Sequence, residues 1–410
     1  MDFIFQSNGQ NSSAKAFYDH DNYRDTLKSD NNQFYGSSNV GYSFYRNTQN
    51  VQSTISANAY GNYSKTKSSS NNYKQDYSYL NNDLSVNYDL KYFITPANWF
   101  VTAAPDYILR YYKYKNREAD NKSKNLTTEA NLKIGGGKGR IEQVQDFRHA
   151  ILLIDELNKR GVSKRNISEA EMIELSILIS QLKNKRFFDA RKQKEAELIA
   201  LDSFFVDKGI VDEKSIQYFT GLEDIWTFGG LQVRESGKQV LFSITPGYSF
   251  DKNFEDEENN INENIMMRYN LSFVSKKPIS VKWQRNYGFG IDHMYQKRLQ
   301  QRNENYGEKG YFTQATVDGQ IGYYPNTRTY FDLSSTVGLS NSGGENIFDK
   351  EQYSAGLRIA TSGYYYISEK LRLGYSIKYE SGKTGIFNNE VENTYFKRLD
   401  YYINLNYAIF

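Results

Sequence analysis

Apolar and polar residues alternate along most of the chain with a period of two. In the last stretch, the odd positions Leu399, Tyr401, Ile403, Leu405, Tyr407 and Ile409 form a greasy row, while Arg398, Asp400, Tyr402, Asn404, Asn406 and Ala408 form a largely polar one. Successive residues of a strand point to opposite faces, so this stretch reads as a strand and not a helix. The pattern recurs where Leu371, Leu373, Tyr375, Ile377 and Tyr379 face away from Arg372, Gly374, Ser376 and Lys378. It recurs again from Tyr353 to Tyr365, Phe331 to Leu339, Tyr311 to Ile321, Ile265 to Phe273 and Leu80 to Tyr92. Each run is about ten residues or slightly longer, the length that crosses a bilayer at a tilt.

Strands with one apolar row toward lipid and one polar row toward a lumen are the dyad repeat of transmembrane barrels. On these rows and the terminal Phe410, the sequence resembles the Gram-negative outer-membrane β-barrel proteins, whose last strand commonly ends in Phe after alternating apolar residues. Phe410 falls one residue out of phase with the odd row, a departure from that signature. The resemblance implies a mainly β fold, a transmembrane antiparallel up-and-down β-barrel of porin-like architecture, and it names no substrate. Short turns alternate with long polar connections, and Pro96, Pro278 and Pro325 sit in three of the short ones, where a fixed φ suits a turn. About six strands before a central interruption and about eight after it make about fourteen, and an even count returns both ends to the periplasm. Pro105 and Pro246 fall inside strands and predict bulges there. Arg285 falls on the apolar row of Ile279, Val281, Trp283, Tyr287 and Phe289, which predicts either a bulge that turns it inward or a side chain that snorkels.

The interruption begins at Gly135-Gly136-Gly137-Lys138-Gly139, which lacks the Gly-Lys-Ser/Thr ending of a phosphate loop and reads as a flexible hinge leaving the barrel. After it the period becomes 3.6. Val144, Phe147, Ile151, Ile154 and Leu157 share one helical face; Ser168 and Glu171 form a capping box ahead of Met172, Leu175, Ile179 and Leu182; a third helix is predicted from Phe187 to Phe205. The expected organisation is a first barrel half at 1–136, an α-helical periplasmic insertion at 137–215 and a second barrel half at 216–410. Residues 216–238, with Trp226 and Phe228, read either as an extra strand or as a stretch inside the barrel.

Composition changes this picture little. The chain has 410 residues, 16% aromatic and 36 of them Tyr, which excludes a disordered polypeptide. A mean hydropathy of −0.74 reflects a wall that shows lipid only alternate residues, so no apolar run of about eighteen residues is needed. The absence of Cys fits an envelope protein without disulfides, and a net charge of +3 is too small to imply a nucleic-acid partner. Asp2-Phe3-Ile4-Phe5 lacks the basic flank and apolar core of a signal peptide, so an outer-membrane location implies a leader removed upstream.

Candidate chemistry is thin. The three His residues are His20, His149 and His293. His293 adjoins Asp292, but parity points the two to opposite faces, so no catalytic residue is assigned. No ligand spacing supports a metal, and no cofactor is expected. The predicted lumen lining is Asp83, Asp89, Asp106, Arg110, Glu129, Lys133, Arg268, Lys282, Asp318, Asp332, Arg358, Arg372, Lys378, Arg398 and Asp400. Charges of both signs either line a water-filled channel or pair across the lumen and close it. Two functions follow: a passive channel or small-solute uptake porin with the helices as gate or accessory, or a structural or assembly subunit whose helices, residues 140–207, hold a periplasmic partner. An outer-membrane hydrolase ranks third. The basic run from Lys183 to Lys194 reads mainly as a solvated face, and the aromatic stretch from Tyr306 to Phe312 supports solute binding.

Overall fold

The computed structural model describes the chain apart from residues 1, 7–10, 24–26, 71–72, 95–97, 119–120, 185–189, 213, 231–232, 256–257, 302–303, 306–307, 346–350, 369–370, 387–388 and 408–410. β1 (Asp2–Gln6) and β2 (Asn11–Tyr23) both pair with β3 (Leu27–Asn47). The chain then runs up and down through β4 (Val51–Ser70), β5 (Tyr73–Ile94), β6 (Trp99–Asn116) and β7 (Asn121–Gln143). Four helices follow: α1 (Gln145–Lys159), α2 (Glu169–Asn184), α3 (Ala190–Asp207) and α4 (Ile216–Phe228). The sheet resumes with β8 (Glu235–Glu255), β9 (Glu258–Pro278), β10 (Trp283–Gln301) and the short β11 (Glu304–Asn305). It ends with β12 (Lys309–Asn326), β13 (Thr329–Glu345), β14 (Gln352–Ser368), β15 (Leu371–Ile386) and β16 (Asn389–Tyr407).

The continuous path is β1, β3 to β10, then β12 to β16, fourteen strands paired antiparallel in chain order, with β7 joined directly to β8 across the helices. This is the up-and-down wall of an outer-membrane barrel. Among the described residues no ladder joins β16 to the first strands.

Register carries the alternation around the wall. One rung passes through Val101, Gly136, Phe242, Leu271, Ile291, Ala315 and Leu339. The rung beside it passes through Thr102, Gly135, Ser243, Asn270, Asp292, Gln314 and Ser340. The first is apolar and faces outward, with Val101 52% and Leu339 57% exposed; the second is polar and faces inward. An apolar belt of this extent on an outer surface is a surface for lipid.

The strands from β3 onward, β11 aside, span 16 to 23 residues, longer than expected. About ten residues suffice to cross the bilayer, so much of each strand projects beyond it. The polar stretch 65–76 is expected as a long loop, but residues 65–70 and 73–76 are instead the paired ends of β4 and β5. Outside the bilayer both faces meet water, so the apolar alternation stops while the backbone ladder continues.

Gly135 to Gly139 is not a hinge. It lies within β7 and is paired on both sides as far as Lys138, Gly137 standing between Phe100 and Leu241. A Cβ on Gly137 would collide with the Val240 carbonyl oxygen and come within 2.6 Å of Phe100 Cζ, so the glycine permits a close approach of backbones. Gly139 and Gly237, at the root of the insert, have φ of 98° and 133°, which glycine adopts without strain.

Pro105 and Pro246 do not create bulges. The ladders lapse at Tyr88–Asp89 and at Leu132–Lys133 and resume in unchanged register. A strand residue directs its N–H to one neighbour only, so Pro105 still faces Leu132 and Pro246 still faces Met267 on the other side. Arg285 likewise stays in unbroken register with Ile321 and Lys277. It lies two residues inside the start of β10 with its guanidinium 5.8 Å from the Tyr287 ring, so it snorkels at the rim and does not sit at mid-bilayer.

The helical segment lies later in the chain than 137–215: β7 continues to Gln143, and the undecided 216–238 stretch supplies α4 and the start of β8. Tyr218, Leu222 and Ile225 lie on one face of α4, and its N-cap Ser215 accepts from the Tyr218 N–H. They join Leu153, Leu157, Leu175, Ile179, Leu201 and Phe205 in one buried cluster. The capping box of α2 forms as expected, with Glu171 accepting from the Ser168 N–H at 2.9 Å and Ser168 Oγ from the Glu171 N–H at 3.3 Å. The first residues expected of the third helix, 187–189, lie outside the described residues.

Candidate functional site

Between β5 and β10 the inward row gathers carboxylates and cations at mid-strand. Lys133 Nζ lies 3.4 Å from Asp89, Arg110 lies 3.5 Å from Glu129, and Asn131 donates to Asp106 at 3.3 Å. Asp83 stands opposite Arg110 in register and accepts from Asn81 at 3.0 Å. Arg268 reaches only the Met294 sulfur, at 3.8 Å, and pairs with no carboxylate among the described residues. Asp89, Asp106, Glu129, Lys133 and Arg268 border a cavity of about 610 Å³. Exposed ion pairs of this kind contribute about 1 kcal/mol or less each, so none of them locks its two charges together.

The second half of the wall carries a rung of alternating sign: Asp318, Thr336, Arg358, Glu380 and Arg398 stand side by side from β12 to β16. Glu380 receives both Arg358 at 3.4 Å and Lys378 at 2.8 Å, and Arg398 holds Asp400 at 2.9 Å. Gly288 makes room for Asp318, whose carboxylate would lie 2.6 Å from a Cβ there. Three of the expected lining residues lie apart from both groups, at the end that carries the insert. Lys282 is in the β9–β10 turn, Arg372 lies 5.8 Å from the Tyr366 ring, and Asp332 accepts from the Tyr324 hydroxyl at 2.7 Å.

That end holds a junction which sequence reasoning missed. Arg148 of α1 and Arg234, just before β8, both donate to the Val281 carbonyl in the β9–β10 turn, at 3.1 and 2.8 Å. Arg234 also donates to Gln284 Oε1 at 3.2 Å and stacks its guanidinium 4.2 Å from the Tyr324 ring centre. Only 6% of Arg148 and 1% of Arg234 is exposed. Burial, followed by repulsion from Arg234, pushes the Arg148 guanidinium down to about 10, and burial lowers that of Arg234 as well. A further tie joins Arg328 to Asp224 of α4 at 3.5 Å. A groove of about 830 Å³ remains between α4 at Asp224 and Phe228, the turn at Arg328 and the end of β14 at Tyr366. No periodicity marks a lone arginine; the spacing of Tyr218, Leu222 and Ile225 is the signal that reveals α4.

Inside the insert, His149 donates from Nε2 to the Ile225 carbonyl at 2.9 Å and stacks on Trp226 with ring centres 5.2 Å apart. Among the described residues its buried Nδ1 has no hydrogen-bond partner. Burial first, and then the charge on Lys183, hold its pKa down to about 3. A folded value below the unfolded one means that stability is complete above pH about 6.5 and is lost as pH falls toward about 3. At about pH 5 the loss is about 2 kcal/mol. Amide exchange in α1 and α4 is therefore expected to be faster at about pH 5 than at about pH 7, beyond the change in intrinsic chemistry, and His149→Gln to remove most of that difference. Equal protection at both values would refute this role for His149.

His293 faces outward and bonds Thr313 Oγ1 at 2.8 Å, while Asp292 faces inward and accepts from Asn270 at 3.0 Å. Asp292 and His293, neighbours in the chain, are thus split between the two faces of the wall. Among the described residues no group of three or more His, Asp or Glu is placed to hold a metal ion. Tyr306 lies outside the described residues, and Tyr311 and Phe312 belong to β12.

No family model and no curated protein matches the chain. Similar solved structures include an outer-membrane channel from Pseudomonas putida, at 11% identity over 88% of this chain and 97% of that one, with a TM-score of 0.24. The transport unit of the autotransporter AIDA-I from Escherichia coli is 10% identical over 100% and 90%, with a TM-score of 0.18. OpdQ from Pseudomonas aeruginosa is 6% identical over 99% of each chain, with a TM-score of 0.22. At these TM-scores the fold assignment rests on the chain's own ladder and rungs.

Proposed function

We propose that the chain is an outer-membrane channel, a passive pore or small-solute uptake barrel, with the helical insert as a gate or accessory on the periplasmic side. The observation that carries this reading is the inner wall. Its rungs are polar, its charges of both signs sit in weak exposed pairs, and a cavity of about 610 Å³ opens among Asp89, Asp106, Glu129, Lys133 and Arg268. Such a lining suits water and small polar solutes. The insert is docked at one end through Arg148, Arg234 and Arg328, a position from which it can obstruct the lumen.

The test is single-channel conductance of the refolded protein in a planar bilayer, beside a version in which residues 144–234 are replaced by a short linker. Gln143 and Glu235 already stand opposite each other, so a tight turn can join β7 to β8. The expected result is steady conductance of the intact protein and a larger one without the insert. Silence of both forms, once inserted, would remove the channel reading. It would leave the second one, an assembly subunit whose insert holds a periplasmic partner. Exposed Ile173 and Ile177 on α2 and Ile199 on α3 favour that alternative, which predicts a closed lumen and a co-purifying protein.

A further inference from the structure

We infer that the mouth of the lumen opposite the helical insert is a binding surface for neutral saccharides, built from tyrosines and asparagines on the inward rows of β4 to β9. It rests on the channel reading and gives the solute a class, uncharged and rich in hydroxyl groups.

Register builds the surface. Going from mid-strand toward that mouth, the inward rung that sets Asp83 against Arg110 is the last to place a cation on β5 or β6. The next inward rung reads Asn62, Asn81, Tyr112, Asn125, Asn253 and Asn260 from β4 to β9, without one charged side chain. Further out, Tyr79 stands opposite Tyr114, between Ser64 and Ser123, and Tyr77 follows beside Thr66. The rings of the two strands interlock. Tyr79 meets Tyr112 edge-on with ring centres 5.1 Å apart, and Tyr77 lies 6.4 Å from Tyr114. Neighbouring strands lie about 4.8 Å apart, so the asparagine rung extends roughly 24 Å across its five strand spacings, room for several sugar rings side by side.

Two plainer accounts of these residues fail. A strand end that is merely solvated would carry charge on either face, yet the two faces differ here. The outward face of the same stretch holds Lys113 opposite Lys124, with Lys252 on β8, while the inward face between them is amide and phenol. A ladder of asparagines bonded to one another would be a structural device. These amides turn elsewhere. Asn62 donates to the Tyr60 hydroxyl at 2.9 Å and Asn81 to Asp83 at 3.0 Å, each two residues along its own strand. Asn125 donates to Asp251 at 3.4 Å and accepts from Thr127 at 2.9 Å. Among the described residues the side chains of Asn253 and Asn260 make no hydrogen bond.

The chemistry of such a surface selects its ligand. A side-chain amide both donates and accepts, so it meets a hydroxyl in either role without bringing a charge. A tyrosine ring offers an apolar face with a hydroxyl at its edge, which suits a sugar ring whose C–H face is framed by hydroxyls. An ion would give up hydration there and find no opposite charge on the rung to replace it. The row faces the lumen, so its ligand is a solute in the channel and not a glycan carried by the lipid outside.

The experiment uses the intact protein refolded in detergent, with saturation-transfer NMR and calorimetry to measure binding of maltopentaose, a neutral glucose oligomer, and of a galacturonate pentamer of the same length. The expected result is binding of the neutral oligomer, with the acidic one about tenfold weaker or more. Tyr79→Leu with Tyr112→Leu, which keeps apolar bulk and removes both rings, should weaken binding by about tenfold or more. Tyr79→Phe with Tyr112→Phe should keep most of it. Tyr111→Leu, one residue away but on the outward face, should leave it unchanged. Heat-modifiable electrophoretic mobility reports folding; if the double leucine variant does not fold, Asn253→Ala with Asn260→Ala removes two amides and should weaken binding severalfold. Undiminished binding in a folded variant would overturn the inference, as would equal binding of the acidic oligomer. Bilayer recordings keep this apart from the channel reading. Conductance by a protein that binds no maltopentaose overturns the saccharide surface and leaves the channel, whereas a silent, inserted protein that binds it supports the surface and removes the channel.

Discussion

Gly137→Val is expected to abolish folding of the barrel, read as loss of the heat-modifiable folded band after refolding into detergent or lipid. Gly137 sits on the inner face of β7, where a Cβ would collide with the Val240 carbonyl oxygen and come within 2.6 Å of Phe100 Cζ. Phe100 cannot yield easily. It is 2% exposed and packs on Phe93 with ring centres 5.4 Å apart, and Arg140 lies 4.6 Å over Phe93. Overpacking a site of this kind costs about 1 to 3 kcal/mol through the side chains alone. Displacing β7 also breaks ladder bonds to β6 and β8 at once, which carries the loss beyond what a wall built of sequential pairs can absorb. Gly136→Ala makes the comparison. Its Cβ would point to lipid and meet only the Phe100 carbonyl oxygen, at 3.3 Å, so it is expected to refold normally. Equal refolding of the two variants would refute the close-approach account of the glycine run.

Arg234→Ala is expected to release the helical insert while leaving the barrel intact. The side chain gives two charge-assisted bonds, to Val281 and Gln284, and a stack on Tyr324, all in a buried setting. Its removal leaves the Gln284 oxygen without this donor and weakens docking by about 3 kcal/mol, offset in part because Arg148 loses a like-charged neighbour. Arg234→Lys should not restore docking, since one amine cannot serve both acceptors and stack on a ring. Limited proteolysis of the bilayer-inserted protein reads the effect: cleavage near 143–145 and 229–235 should speed up by about tenfold or more, with the strands still protected. An unchanged cleavage rate would show that the insert is held by contacts other than this junction. If the insert obstructs the lumen, the same variant should also conduct more than the parent.

The two predictions test features of opposite legibility. The glycine run is visible as composition yet reads as a hinge, because glycine signals both flexibility and close backbone approach, and only the flanking strands distinguish them. The junction was not visible at all. Arg148 and Arg234 are far apart in the chain and meet only because β7 pairs with β8 beneath the helices. The polar ends of the strands read as loops for a third reason: once both faces meet water, a ladder needs no alternation, and the periodic signal of a strand disappears.

By itself the sequence determined which residues share a face and where helices replace strands, since period and capping depend on neighbours a few positions apart, as in the rows of β16 and the Ser168–Glu171 cap. It also determined the two faces of the wall, because apolar and polar residues cannot both be served by lipid. Only the tertiary structure decided which charges meet. Lys113 against Lys124, Asp89 against Lys133 and Arg234 against Val281 depend on register between strands and turns distant in the chain, set by the summed pairing of the whole wall and by no single residue.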